Sequence, residues 1–534
     1  MPRGNRSRND WTIMFFFASD NDLSPLNVSQ IKGVKDAGYQ KKTEVLLYFD
    51  SNEKGVPTRL FNVNHKRKGN PPRTKIGDGK DPYVRNCIED ELLPDDMDPR
   101  KGPCTAYLSE ELSKPDSMNA TEALENFIGY CHENNPARRY ILIVVGHGMV
   151  VANDTFLFDE YPRSGIGLTN FGKILRKFKE RVIREGATFE LLGLHSCSMS
   201  AVEVAYELRE TANYMIASEG FSYVGSWPYR QLLKKIFNTT EQSLTAASVQ
   251  SLIRRVYELS LYNATDFAFS GYSHDLTLCS LDQQKLAEFI DPFRRLTENL
   301  KRSLDSKRGL ELILLAHLKS QSFWRDEYTD IYDFCRCLNE NCDRQDPCQR
   351  SLSDDCRAVM DVLNLKADPF DGLIVFSDNF GWEFQYSHGL SVYFPWTRPL
   401  GQLEGGPLKA YKRYAFTRAM GRDSWLSFLE EYWTKTMRPA ENQVPSPFFE
   451  KLMSSPHSSI FGSLGNKPGG VMDKPGGRIN KPGGGYADSP CICPSIKNYP
   501  FTIKLDRRWR KTSWTPRVAE VVNEGLRGRR NERG

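Results

Sequence analysis

Four short runs of nearly unbroken apolar residues constrain the fold of this chain more than any other feature: residues 11–18 (WTIMFFFA), 44–49 (EVLLYF), 139–145 (RYILIVV) and 189–194 (FELLGL). A strand with one wet face alternates apolar and polar side chains, so runs like these belong at the centre of a sheet covered on both faces. Between the last two, Phe171, Ile174, Leu175, Phe178 and Val182 recur at helical spacing over residues 169–185. A strand, a helix and a strand in that order predict two parallel strands joined by a right-handed crossover. A second helix is expected before Arg139, with Asn119 as cap, Glu122 placed to close a capping box, and Leu124, Phe127, Ile128 and Cys131 as its apolar face. Two later runs, 372–376 and 390–394, are candidates to extend the same sheet. The alternation predicts an α/β fold over the first 400 or so residues.

The rest of the organisation follows from composition shifts. Residues 1–10 form a short basic amino terminus, expected to be disordered. Residues 51–115 are polar and rich in Pro and Gly, and read as an irregular insertion; the basic run His65-Lys66-Arg67-Lys68 within it reads as a solvated loop. Between 220 and 325 lie several amphipathic stretches without readable chemistry. From about 440 to 490 the heptads NKPGGVM, DKPGGRI and NKPGGGY repeat Lys-Pro-Gly-Gly every seven residues, a pattern that cannot bury a core and reads as a linker. Residues 491–534 form a basic tail with Trp509 and Trp514. A net charge of +5 from 72 basic and 67 acidic residues is too balanced for a nucleic-acid-binding surface. No apolar run approaches membrane-spanning length. The apolar run at the amino terminus is too short for a secretory signal, which together with the clustering of cysteines predicts a reducing, cytoplasmic setting.

Two strand ends carry the chemistry. Residues 139–145 lead into Gly146-His147-Gly148, and residues 189–194 lead into His195-Ser196-Cys197. Ligands of open parallel sheets sit at the carboxyl ends of strands. Residues 198–211 have helical character, and a helix starting just after Cys197 would lower its thiol pKa through unpaired N–H groups and the dipole. An imidazole beside it can take the proton and return it to a leaving amine. Backbone N–H groups of Gly148 and Cys197 can then form an oxyanion hole. The histidine lies 50 residues upstream of the cysteine, the caspase-type order.

These segments resemble the clostripain family of caspase-like cysteine peptidases. WTIMFFFASDNDL is similar to that family's first strand and the turn after it, PARRYILIVVGHG to its catalytic-histidine segment, and LLGLHSCSMSAVEVAYELRETANYMIASEGFSYVGSWPY to its nucleophile segment. Weaker echoes occur at TDIYDF (329–334) and HGLSVYFP (388–395), so the resemblance spans about residues 11–435. It implies a caspase-like, mostly parallel sheet with helices on both faces, His147 as base, Cys197 as nucleophile, and a cysteine endopeptidase acting on a protein or peptide through a thioester. Members that cut after Arg or Lys carry Asp two residues before the nucleophile, where this chain has His195. His195 is therefore expected in the substrate pocket in place of a carboxylate, with Glu219 or Asp159 available to supply the missing charge. A catalytically inactive scaffold is the alternative that this substitution keeps open. The family habit of self-cleavage after the catalytic histidine points to residues 149–168, with Arg163 as the candidate site.

No residue pattern requires a cofactor for this chemistry, and calcium binding and oligomeric state are left open by the sequence. Cys335, Cys337, Cys342, Cys348 and Cys356 place five thiols in 22 residues at about 335–360, an expected insertion. They can supply a structural zinc site, form disulfides, or remain free thiols; the paired C-x-x-C knuckles of common zinc sites are missing.

Overall fold

The structure, a computed structural model, describes residues 8–35, 37, 40–51, 59–62, 85–87, 119–148, 154–160, 163–239, 245–263, 272–324, 326–398 and 408–436. The basic amino terminus, most of 51–115, the Lys-Pro-Gly-Gly repeats and the tail at 491–534 lie outside the described residues.

The strands, in chain order, are β1 (Asn9–Ser19), β2 (Thr43–Ser51), β3 (Arg59–Asn62), β4 (Arg85–Cys87), β5 (Ala137–Val145), β6 (Phe156–Glu160), β7 (Arg163–Ile166), β8 (Thr188–His195), β9 (Tyr214–Ala217), β10 (His274–Ser280), β11 (Ser322–Phe323), β12 (Tyr328–Asp330), β13 (Ile374–Phe380) and β14 (Ser391–Tyr393). Nine of them form one sheet in the order β13-β10-β9-β8-β5-β1-β2-β3-β4. Its centre, from β9 through β2, is parallel, while at one edge β10 pairs antiparallel with both β9 and β13.

The continuous apolar runs are divided by strand parity into two cores. Met14, Phe16, Leu142, Val144, Leu192 and Leu194 face one layer, which holds α2 (Ala120–Asn134) and α3 (Leu168–Arg184). Ile13, Phe15, Phe17, Ile141, Ile143, Val145 and Leu191 face the other, against α5 (Tyr229–Thr239) and α6 (Ala246–Asn263). This is the two-sided burial that unbroken apolar strands require. Helix α2 starts at Asn119, whose side chain accepts the Glu122 N–H at 3.0 Å, as the capping pattern predicts.

Three expectations need correction. The run at 372–376 does join the main sheet, as antiparallel edge strand β13, but the run at 390–394 supplies β14 to a separate three-stranded sheet with β11 and β12. Within the supposed irregular insertion at 51–115, the described pieces β3 and β4 extend the main sheet. The supposed insertion at 335–360 is two packed helices, Ile331–Asn341 and Pro347–Leu363, whose Cys335 and Cys356 belong to the core. Buried thiols there act as small apolar side chains. No helix among the described residues is long and apolar enough to cross a membrane.

The two-layer core makes a direct prediction. Leu192 is fully buried at the sheet centre, so Leu192→Ala should cost ~2–5 kcal/mol in denaturant unfolding. Ile183, which is 56% exposed on α3, should change stability by less than about 0.5 kcal/mol when replaced by Ala.

Candidate active site

Strands β5 and β8 pair in parallel up to Val145 and His195. Two residues beyond that last pair, the chain places His147 after β5 and Cys197 after β8, at neighbouring carboxyl ends of the sheet. The approach between these two strand ends is close. A Cβ built on Gly148 would lie 1.8 Å from the Cys197 carbonyl oxygen and 2.7 Å from its nitrogen, so only glycine fits. The sequence-expected oxyanion pair, Gly148 and Cys197, is thus held backbone to backbone.

Cys197 is buried, in a turn whose next residue, Ser198, adopts φ +55°. Here the sequence expectation needs a further correction. The helix does not begin after Cys197; α4 spans only Val202–Glu207, five residues further on. Its dipole therefore cannot be the main support of a thiolate, because the effect is confined to the adjoining turn. A different group meets the sulfur: the Ser222 N–H points at Cys197 Sγ from 3.3 Å.

His147 is buried, and its Nε2 lies 2.7 Å from Oδ1 of Asp22. Asp22 follows β1, the strand that pairs with β5 on the side opposite β8. Its turn is fixed by Asn21, whose side-chain amide donates to the carbonyls of Ala18 at 3.1 Å and Phe158 at 2.7 Å, and whose Oδ1 accepts the Leu23 N–H at 3.0 Å. Sequence reasoning missed Asp22. The available signal was a carboxylate in the turn that ends the strand next to the histidine strand.

His195 sits on β8 with Leu191 and Gly193 on the same face by strand parity, looking into the second core layer. Gly193 leaves room for Trp227: a Cβ there would lie 2.9 Å from the indole. Trp227 in turn stacks on His195, with ring centroids 4.9 Å apart and planes 11° apart. Nδ1 of His195 meets the Tyr229 hydroxyl, and Nε2 lies 2.9 Å from the Tyr223 carbonyl and 3.2 Å from the Ser226 hydroxyl. Burial lowers its pKa to about 4, with the Tyr223 carbonyl opposing the shift. His195 is therefore neutral at pH 7 and engaged at both ring nitrogens.

The other expected residues are placed as follows. Glu219 is fully buried and accepts the Gly389 N–H at 3.0 Å. Asp159 is buried on β6 beside Asp20 and Asp50, with ligand atoms of all three within 4.8 Å of one another. Three such oxygens are the donor set that a hard cation takes. The five clustered cysteines do not form a comparable group among the described residues. Cys335 and Cys356 contact one another, Cys342 lies close enough to Cys356 to raise its own pKa, and Cys348 is exposed on the first turn of its helix. Arg163 opens β7, where its backbone pairs with Glu160 in a two-stranded hairpin; residues 161 and 162 lie outside the described residues.

Comparison with known proteins adds the context. A sequence model described as the clostripain family matches residues 16–364. Clostripain from Hathewaya histolytica is 21% identical over 391 residues, covering 64% of this chain and 68% of that protein. Among solved structures, an inactive zymogen C11 protease from Parabacteroides distasonis is similar at 14% identity and a TM-score of 0.45, covering 78% of this chain and 99% of that one. A secreted C11 cysteine protease from Bacteroides thetaiotaomicron, bound to an irreversible peptide inhibitor, gives 14% identity and a TM-score of 0.45, covering 77% of this chain and 99% of that one.

Two outcomes are expected from this geometry. Gly148→Ala should lower kcat/KM by about 100-fold or more, since a displacement near 1 Å at reacting groups has that effect. Retained helical circular dichroism with lost turnover is the pattern to check. In addition, turnover should track the free Cys197 thiol measured by mass spectrometry and should be lost when that thiol is blocked.

Proposed function

The chain belongs to the clostripain family and is a cysteine-type endopeptidase, and from that premise we propose that it cleaves peptide bonds with Cys197 as nucleophile, His147 as general base and Asp22 as the residue that orients His147. The observation that carries this reading is the pairing of β5 with β8, which delivers His147 and Cys197 to neighbouring strand ends, with Asp22 2.7 Å from the imidazole.

The proposed sequence of events uses these groups alone. His147 takes the thiol proton of reduced Cys197, and the sulfur attacks the scissile carbonyl carbon. The tetrahedral oxyanion is held by the N–H groups of Gly148 and Cys197. Collapse breaks the C–N bond, and His147 gives its proton to the leaving amine, which departs and leaves a thioester. Water, deprotonated by His147, then attacks the thioester and releases the acid and the thiol. With one ring nitrogen committed to Asp22, the other is set to exchange protons with the sulfur, and Asp22 stabilises the imidazolium that forms.

Specificity follows from His195. A buried carboxylate facing a substrate guanidinium contributes strongly, and removing one partner of such a pair typically costs ~2–5 kcal/mol. A neutral imidazole enclosed by Trp227, Tyr229, Tyr223 and Ser226 offers no such charge. We therefore assign no inherent preference for Arg or Lys before the scissile bond to this position, and the same substitution makes self-cleavage after Arg163 a poor fit to the enzyme's own pocket.

Replacing Cys197 or His147 by Ala should each abolish turnover, and the double variant should lose little more than either single one, because the two act as a unit. A Cys197→Ala protein that still hydrolyses peptides would end this reading. Asp22→Asn should lower kcat by at least ~tenfold with KM nearly unchanged, since it alters the imidazole's orientation and charge support and leaves the binding surface intact. A peptide-library profile of the unmodified enzyme tests specificity: near-exclusive cleavage after Arg or Lys would overturn the role given to His195.

A further inference from the structure

Three stretches of sequence left without a role above meet at one point behind the nucleophile turn: Ala217-Ser218-Glu219-Gly220 after β9, Asp330 and Asp333 at the start of the helix Ile331–Asn341, and His388-Gly389 before β14. The strand β10 brings a fourth group, Asp275. Glu219, Asp275, Asp330 and Asp333 are all at most 1% exposed.

Each carboxylate holds backbone. Asp275 accepts the N–H of Glu219 at 2.6 Å through one oxygen and that of Gly220 at 2.9 Å through the other, while its own carbonyl accepts the Ser218 hydroxyl at 2.8 Å. Asp330 accepts the N–H of Asp333 at 2.7 Å and of His388 at 2.6 Å. Glu219 accepts the Gly389 N–H at 3.0 Å, and the charge of Asp330 adds to burial in raising its carboxyl group. The segment so clamped is the one that grips the nucleophile. The Gly220 carbonyl accepts the Ser198 N–H at 2.9 Å, the Ser218 carbonyl accepts the Ser200 N–H at 2.9 Å, and Ser222 points its N–H at Cys197 Sγ. Ser198, at φ +55°, is the residue whose unfavourable backbone such bonds must hold. Two neighbouring backbone N–H groups that donate to the two oxygens of one carboxyl group fix the segment at adjacent residues.

We propose that Asp275 is a positioning residue for the nucleophile, and that with Glu219 and Asp330 it forms a carboxyl clamp that fixes residues 218–222 against the Cys197 turn. The proposal rests on the assignment of Cys197 as nucleophile. Buried carboxyl groups whose charges raise one another cannot all ionise without repulsion, so the clamp holds while the group retains protons. Burial raises all three groups: Asp275 to about 7, Asp330 to about 6, and Glu219 upward with the charges of Asp330 and Asp275 adding to the shift. The surrounding charges are few. Asp333 adds negative charge and is itself paired with Arg336 at 2.6 Å, and His388 faces Asp330 at 3.8 Å. Raised folded-state values mean that the contribution is fully present below the ordinary carboxyl range and is lost as pH rises through about 6 to 7.

The test uses the reduced full-length chain and three readouts: kcat and KM on a peptide substrate, the second-order rate of Cys197 alkylation by iodoacetamide, and the pH profile of kcat. Asp275→Ala is expected to lower kcat at least ~30-fold with KM within about threefold, and to slow Cys197 alkylation in parallel. Asp275→Asn, which keeps one acceptor, should restore part of both. Glu219→Gln, which removes one ionisable member of the cluster and with it part of the repulsion, should move the alkaline fall of kcat to higher pH. An Asp275→Ala protein with kcat and alkylation rate within threefold of the parent overturns the proposal while leaving the Cys197 assignment intact. If Asp275→Ala does not fold, an unchanged pH profile in Glu219→Gln overturns it instead. Peptidase activity that survives Cys197→Ala would sink the underlying assignment and is read separately.

Discussion

The parallel pairing of β5 with β8 is the constraint on which the rest of this structure depends. Parallel strands present their carboxyl ends at the same edge of the sheet, and the register running through Val145 and His195 brings two loops out side by side. Gly148 is then pressed so close to the backbone of Cys197 that no side chain can stand between them. The neighbouring strand β1 ends at the same edge and contributes Asp22 to His147. Three adjacent parallel strands thus supply three side chains to one place, which is how open α/β sheets build their sites.

The sequence was informative where burial decides structure. Unbroken apolar runs located the four central strands to within two residues at each end, and the i, i+3, i+4 pattern located α3, because both follow from which side chains must leave water. It was misleading where local propensity competes with tertiary contacts. Residues 198–211 read as helix, yet the first of them, Ser198, takes a positive φ held by the Gly220 carbonyl, and only Val202–Glu207 is helical. Strands β9 and β10 were not recognised at all: their burial comes from partners far away in the chain, and β10 carries the polar His274 and Asp275 at its start. Asp22 was likewise invisible, since nothing local distinguishes it from Asp20 in the same turn.

Electrostatics divides the surroundings of Cys197 into two unlike halves. On the His195 side, aromatic packing and burial leave a neutral imidazole, and the buried His274 nearby is pushed down to about 3, so neither carries charge at pH 7. On the opposite side, Glu219, Asp275 and Asp330 gather negative potential that is spent on backbone N–H groups and kept closed off from solvent. Glu219, one of the two carboxylates that could have replaced a pocket Asp, is therefore engaged inside the frame, which gives the identity of residue 195 more weight in the proposed specificity.

The central claim is that the sulfur of Cys197 becomes acylated with the help of His147. It is tested most directly by reacting the reduced protein with an irreversible peptide inhibitor that alkylates a working nucleophile, and mapping the adduct by mass spectrometry in the parent and in His147→Ala. The account predicts one adduct, on Cys197, formed at least ~100-fold more slowly when His147 is replaced. An adduct on another residue, or one on Cys197 that forms equally fast without His147, would contradict it.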